Sequence, residues 1–159
     1  MELPPRLLSL RLAMWIVAWA LAGTAFAAGV KAPSEAQERA RFVGVWKGFT
    51  VEGKGENPDR GPVKLELIIK ERTMRGIEIK GPDRIDHGEG EYTLQLDANP
   101  RHLDAAKTLP RGRKQAYIGI YTLEGDTLKW CVSPQKVRPT SFETKKGQFL
   151  LILKREAKK

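Results

Sequence analysis

Apolar and polar residues alternate in several segments of the chain, and this alternation restricts the possible folds more than any other feature. Every second residue is apolar in 63–70, VKLELIIK, and the segments 92–97 and 128–132 repeat the pattern. A repeat of two residues places successive side chains on opposite faces of a β-strand, whereas an amphipathic helix needs a repeat of about 3.6. The sequence therefore predicts an all-β protein.

Turn-forming residues divide the chain into short strands at fairly regular intervals. We predict strands at 45–51, 63–69, 74–79, 92–96, 117–123, 128–132, 138–142 and 148–155. Ser34 and Gln37 have the spacing of a capping box, which predicts one short helix over 35–42. The segments 81–90 and 99–114 are predicted loops. Seven or eight short strands of this kind are typical of an antiparallel barrel or a sandwich.

The first 27 residues have the three parts of a secretory signal peptide. Arg6 and Arg11 precede an apolar run over 12–22, and Ala25-Phe26-Ala27 is a small-x-small cleavage site. The apolar run of eleven residues is short for a membrane span, which needs about 20. We expect an exported protein, periplasmic or extracellular. Its parts are the signal peptide (1–27), a linker (28–33), the β-barrel domain (34–156) and a charged tail (157–159).

The charge and cysteine content restrict the partners of the exported domain. Cleavage after Ala27 removes two basic residues and one acidic residue, so the net charge of +9 falls to +8. An excess of positive charge favours an anionic polysaccharide or lipid as a partner, although it also serves solubility. We do not expect nucleic acid, because the protein is exported. Cys131 is the single cysteine, so we predict a buried thiol and no intramolecular disulfide. We also expect a monomer.

Three segments resemble a family of secreted, uncharacterised lipocalin-like proteins that is common in planctomycete bacteria. They are FVGVWK at 42–47, GIYTLEGDTLKWC at 119–131, and 138–155 with its RPTSF and LILKR. The resemblance spans about 38–156 and implies a closed antiparallel β-barrel of about eight strands with a short N-terminal helix. It also implies that Trp46 plugs one barrel end and that Arg155 lies across its ring, a contact of about 0.5–2 kcal/mol.

The predicted inward face of the barrel is nearly all apolar. Its candidate ligand-binding residues are Leu65, Leu67, Ile69, Leu94, Leu96, Tyr121 and Trp130. If they enclose a cavity, the ligand is a small apolar or amphipathic molecule with a tyrosine hydroxyl as a polar contact. The alternative is that these side chains simply fill a close-packed core. A second candidate is the basic segment of Arg111, Arg113 and Lys114, which either binds an anion or is an ordinary solvated surface.

Motifs for catalysis are weak. His87 and His102 both lie in predicted loops, and neither has the neighbours expected of a metal site. The sequence has no nucleophile elbow and no zinc-protease or phosphate-binding motif. We therefore predict a non-catalytic secreted binding protein with no cofactor and no metal. The alternatives are an envelope or extracellular module that binds anionic polymers through a basic face, and an enzyme that uses His87 or His102.

Overall fold

The computed structural model describes residues 33–52 and 63–157. One helix, α1 (Glu35–Phe42), precedes eight strands, and a one-turn 3-10 helix (Pro110–Gly112) follows the fifth. The strands are β1 (Gly44–Glu52), β2 (Val63–Ile69), β3 (Thr73–Lys80), β4 (Asp83–Gln95), β5 (His102–Thr108), β6 (Lys114–Glu124), β7 (Thr127–Ser133) and β8 (Phe149–Arg155). The predicted signal peptide, most of the predicted linker and the last two residues of the predicted tail lie outside the described residues. No helix within 33–52 and 63–157 has the length and apolar character to cross a bilayer.

The eight strands form one closed antiparallel barrel. Each strand pairs with the next in the chain, and β1 also pairs with β8, from Trp46 opposite Arg155 to Glu52 opposite Phe149. A closed barrel satisfies the hydrogen-bonding groups at both strand edges, which a sandwich leaves open. The structure confirms the predicted all-β, lipocalin-like barrel with a short helix.

Three predicted features of the chain path are wrong. Strand β5 lies inside the predicted loop 99–114, and β4 begins at Asp83, inside the predicted loop 81–90. Conversely, 138–142 is not a strand but part of the irregular connection 134–148. It has no strand edge to join because β7 and β8 pair directly with each other. The connection is held by Arg138, whose guanidinium donates to both carboxylate oxygens of Asp104 at 2.5 and 2.7 Å.

The predicted helix and its capping box are confirmed. The Ser34 hydroxyl accepts from the backbone N–H of Gln37 at 3.3 Å, and the Gln37 side chain accepts from the backbone N–H of Ser34 at 2.9 Å. These two bonds satisfy N–H groups at the helix start that have no partner within the helix. The helix buries Phe42 against Tyr121, with ring centroids 5.0 Å apart, and thereby covers one barrel end.

The antiparallel order gives the barrel two distinct ends. We call the end that carries α1 and the turns 70–72, 96–101 and 125–126 the closed end. The opposite end, called the open end, carries the connections 81–82, 109–113 and 134–148. The largest fully buried side chains are Trp46, Tyr121, Phe42, Ile69 and Leu103. All five lie toward the closed end, so the densest part of the core is there.

Candidate functional site

The open half of the barrel contains a cavity of about 200 Å³. Its walls are apolar and come from β2, β3, β5, β6, β7 and β8: Leu65, Leu67, Met74, Ala105, Tyr117, Trp130, Val132, Phe149 and Leu151. Thr50, His87 and Lys107 contribute polar groups to the lining. Such a cavity is lined mainly by carbon, with a few polar groups, which is the usual composition of a small-molecule site.

Small residues on β3, β4 and β5 leave this space unfilled. A Cβ added at Gly76 would meet only the Cβ of His87, at 4.0 Å. A Cβ at Gly90 would instead lie 2.5 Å from the carbonyl oxygen of Ala106, so close approach of two strands requires that glycine. Ala105, on the neighbouring strand, also lines the cavity. The void therefore results from missing side-chain volume on one wall.

Trp130 is fixed on the opposite side of the cavity. Its indole N–H donates to the carbonyl of Leu103 at 3.0 Å. A side chain at Gly119 would collide with the indole nitrogen of Trp130 and with the carbonyl oxygen of Cys131. Gly119 thus allows the tryptophan ring to cross β6, and the hydrogen bond to Leu103 holds the ring in place. A fixed ring gives the cavity a preorganised wall.

The seven residues predicted to bind a ligand do not share one site. Leu65, Leu67 and Trp130 line the cavity. The other four pack elsewhere in the core, where Leu96 is partly buried and three are buried: Ile69, Leu94 and Tyr121. Alternation identifies the face of a strand on which a residue lies but not its position along the barrel axis. The three buried residues lie too close to the closed end to line the cavity.

Tyr121 is not a polar contact for the cavity, contrary to the prediction. Its hydroxyl donates to the fully buried carboxylate of Glu38 at 3.1 Å. Arg101 and Arg41 donate to the same carboxylate at 3.0 and 2.7 Å. Burial raises the pKa of the Tyr121 hydroxyl, and the negative charge of Glu38 raises this pKa further. The tyrosine that lines the cavity is Tyr117, and burial raises the pKa of its hydroxyl as well.

Trp46 and Arg155 lie together at the closed end. Trp46 is fully buried, and its indole N–H donates to the carbonyl of Phe42 at 2.7 Å. The guanidinium carbon of Arg155 lies 4.2 Å from the centroid of the Trp46 ring. Arg155 also donates to the carbonyl of Val43 at 2.5 Å and to Asp126 at 3.0 Å. These contacts tie the helix, β1 and β8 to one another.

The two histidines lie in strands, not in loops, and at opposite ends of the barrel. His87 is in β4, beside a bulge in the pairing with β3, and it lines the cavity. Its Nε2 is 3.2 Å from a carboxylate oxygen of Glu78. His102 begins β5 near the closed end, where its Nδ1 is 2.6 Å from the side-chain oxygen of Gln95. The two imidazoles therefore cannot act on one substrate.

One ammonium group stands at the mouth of the cavity. Lys107 donates to the carbonyl of His87 at 2.8 Å. Among the described residues that line the cavity, it is the only lysine or arginine, and none is an aspartate or glutamate. The predicted anion-binding residues Arg111, Arg113 and Lys114 are exposed at the open end and do not line the cavity.

Two further observations concern metal-ligating side chains and the single cysteine. Within the described ranges, no three His, Cys, Asp or Glu side chains are grouped closely enough to hold a metal ion. Cys131 is buried, as predicted, and burial raises the pKa of its thiol.

No family model, curated protein or solved structure matches the chain.

Proposed function

We propose that this protein binds a small apolar or amphipathic molecule in the open half of its barrel and leaves that molecule chemically unchanged. The apolar cavity of about 200 Å³ is the observation that carries the proposal. Protein interiors are close-packed and contain few voids larger than a water molecule. An engineered apolar cavity of about 150 Å³ stays dry and binds benzene, so a larger one with similar walls can hold a somewhat larger apolar group.

The polar groups at the mouth favour an amphipathic ligand with an anionic head. The Lys107 ammonium has three donors, of which the His87 carbonyl uses one. Thr50 and the His87 imidazole also border the cavity. The apolar part of the ligand would occupy the interior, with a size of about six to ten carbon atoms by comparison with benzene. A carboxylate attached to it would lie beside Lys107.

A chain-length series tests the proposal directly. Linear alkyl carboxylates of increasing length would be titrated into the protein and their affinities measured by calorimetry. Each buried CH₂ contributes about 0.8 kcal/mol, so the affinity should rise about fourfold per carbon and stop rising when the cavity is full. The bound molecule should be recovered unchanged by mass spectrometry. A series in which no member binds would contradict the proposal.

Gly76→Leu provides a variant that fills the cavity without straining the backbone. The Cβ at this position has open space around it, and the backbone does not have a positive φ. We expect the leucine to abolish ligand binding while stability is kept or increased. Ala116→Leu is the matched control, because it adds a leucine on the exposed outer face of β6. Binding that survives Gly76→Leu would show that the ligand lies elsewhere. An equal loss of binding in Gly76→Leu and Ala116→Leu would show the same.

We also propose that the protein acts outside the cytoplasm, because residues 1–27 have the parts of a cleavable signal peptide. The N-terminal sequence of the protein isolated from its own cells tests this. We expect the mature chain to begin at Ala28, and to be found in the periplasmic or extracellular fraction. A chain that retains Met1 and fractionates with the cytosol would contradict it.

A further inference from the structure

The two ends of the barrel differ in charge. At the open end, the described connections 109–113 and 134–148 contain six basic residues and one acidic residue, a net charge of +5. At the closed end, α1 and the turns 70–72, 96–101 and 125–126 contain five basic and five acidic residues, a net charge of zero.

Most of the positive charge at the open end faces solvent. Arg138 is neutralised by Asp104, which holds it through two hydrogen bonds. The other five basic residues of the two connections are exposed: Arg111, Arg113, Lys136, Lys145 and Lys146. We call these five residues the basic surface. Cations at one end of a small protein create a field that attracts and orients anionic partners.

An exposed apolar side chain lies within the basic surface. Val137, which follows Lys136, is 66% exposed, the highest value among the large apolar residues that the structure describes as exposed. The two stems of the 134–148 connection meet, because a Cβ at Gly147 would lie 2.5 Å from the Gln135 side-chain nitrogen. This contact brings Lys136 and Val137 toward Lys145 and Lys146. Basic residues around an exposed apolar group are typical of proteins that bind membrane surfaces.

We propose that the open end docks onto an anionic lipid bilayer through the basic surface, with the mouth of the cavity facing the lipid. Lipid is favoured over an acidic polysaccharide because Val137 can enter the interfacial region of a bilayer. The choice also rests on the proposed function, since an apolar ligand partitions into lipid and would leave or enter the barrel there. The docking itself requires only the charges and Val137.

Vesicle binding tests the proposal with the mature protein. The vesicles would be phosphatidylcholine with about one third phosphatidylglycerol, compared with pure phosphatidylcholine. We expect binding to the anionic vesicles only, weakening as salt rises beyond about 0.1 M. Val137→Ser should weaken binding severalfold. Absence of binding to anionic vesicles, or equal binding to both compositions, would overturn the proposal.

A charge-matched pair of variants tests the orientation. The first replaces Arg111, Arg113, Lys145 and Lys146 by Gln. The second replaces four exposed basic residues of the outer wall and closed end by Gln: Lys70, Arg72, Lys129 and Lys154. Each basic residue near an anionic surface strengthens binding by roughly fivefold, so we expect the first variant to lose at least about twentyfold and the second less than about threefold. Equal losses would overturn the proposal, because net charge alone would explain them.

Two controls separate this proposal from the ligand proposal. Gly76→Leu should bind anionic vesicles as the unmodified protein does, because it changes only the cavity. Vesicle binding without any ligand binding would contradict the proposed function alone, whereas ligand binding without vesicle binding would overturn the docking alone. Retention on an immobilised sulfated polysaccharide, together with no vesicle binding, would also overturn the docking and identify a polymer as the partner.

Discussion

The closed and open halves of this barrel are built from the same strands but are filled differently. In the closed half, Trp46, Phe42 and Tyr121 are fully buried, and the carboxylate of Glu38 is surrounded by donors from Arg41, Arg101 and Tyr121. In the open half, a cavity of about 200 Å³ lies between Trp130 on one wall and residues with little side chain on the other.

The difference shows that alternation determines which side chains face inward but not whether they fill the space. The closed half has a helix that contributes Phe42 and Glu38 to its interior. The open half has no corresponding element among the described residues, and Gly76 stands where a larger side chain would fit. Stability therefore resides mainly in the closed half, and the open half has room for a ligand.

Trp46→Ala should have the largest effect on stability. The substitution leaves a large void in the closed half and removes the ring beneath Arg155, so we expect the free energy of unfolding to fall by about 4 kcal/mol. Urea denaturation measures this, and Trp46→Phe should restore much of the loss because it keeps an aromatic face. A loss below about 1 kcal/mol for Trp46→Ala would contradict the view that this residue seals the barrel.

The same substitution in the two halves should have different costs. Leu153→Ala lies in the fully packed half and should cost about 4 kcal/mol, whereas Leu65 is only partly buried beside an existing cavity, so that Leu65→Ala should cost about 2 kcal/mol. Both values come from urea denaturation of the ligand-free protein. Equal costs would mean that the open half is packed as tightly as the closed half.

Tyr121→Phe removes one donor from Glu38 and should cost about 1 kcal/mol near neutral pH. Because the folded-state pKa of Tyr121 is raised above its ordinary value of 10.0, its contribution is fully present below pH 10 and is lost as the pH rises through the folded-state pKa. The stability difference between the native protein and Tyr121→Phe should therefore shrink above pH 10. A difference that grows with pH would contradict the contact with Glu38.

Acid should weaken the open half of the barrel, and this effect should be the smallest. Hydrogen bonds from Arg75 and from the backbone N–H of Gly88 lower the pKa of Asp86 from 3.8 to about 2. The contribution of Asp86 is thus present above pH 3.8 and lost as the pH falls through about 2. Amide exchange near His87 should accelerate over this range, and Asp86→Asn should abolish that pH dependence. Exchange near His87 that stays unchanged between pH 3.8 and about 2 would contradict it.

Local patterns predicted much of the fold because they report local physics. The alternation in 63–70 and 128–132 and the capping box at Ser34 each correspond to an element of the structure. Strand β5 was missed because Ala105 gives a weak apolar signal between Asp104 and Ala106. The strand predicted at 138–142 does not exist, because barrel closure pairs β7 with β8, and no local pattern contains that long-range information.

The candidate site was only partly predictable for a related reason. Leu65, Leu67 and Trp130 were predicted to face inward and lie at the cavity. Met74, Val132 and Leu151 also line it, and alternation along their strands could have identified them. The cavity itself depends on the absence of a side chain at Gly76. In a sequence, a glycine within a strand is equally consistent with a bulge, a close approach of two backbones or a void. Only the packed barrel distinguishes these.

A crystal structure of the ligand-free protein under xenon pressure would examine the difference between the two halves most directly, because xenon enters dry apolar cavities. We predict a xenon atom among Leu67, Met74 and Trp130, and none beside Phe42 or Trp46. A barrel with no xenon in its open half, or with ordered water or side chains in its place, would contradict a hollow, ligand-binding interior.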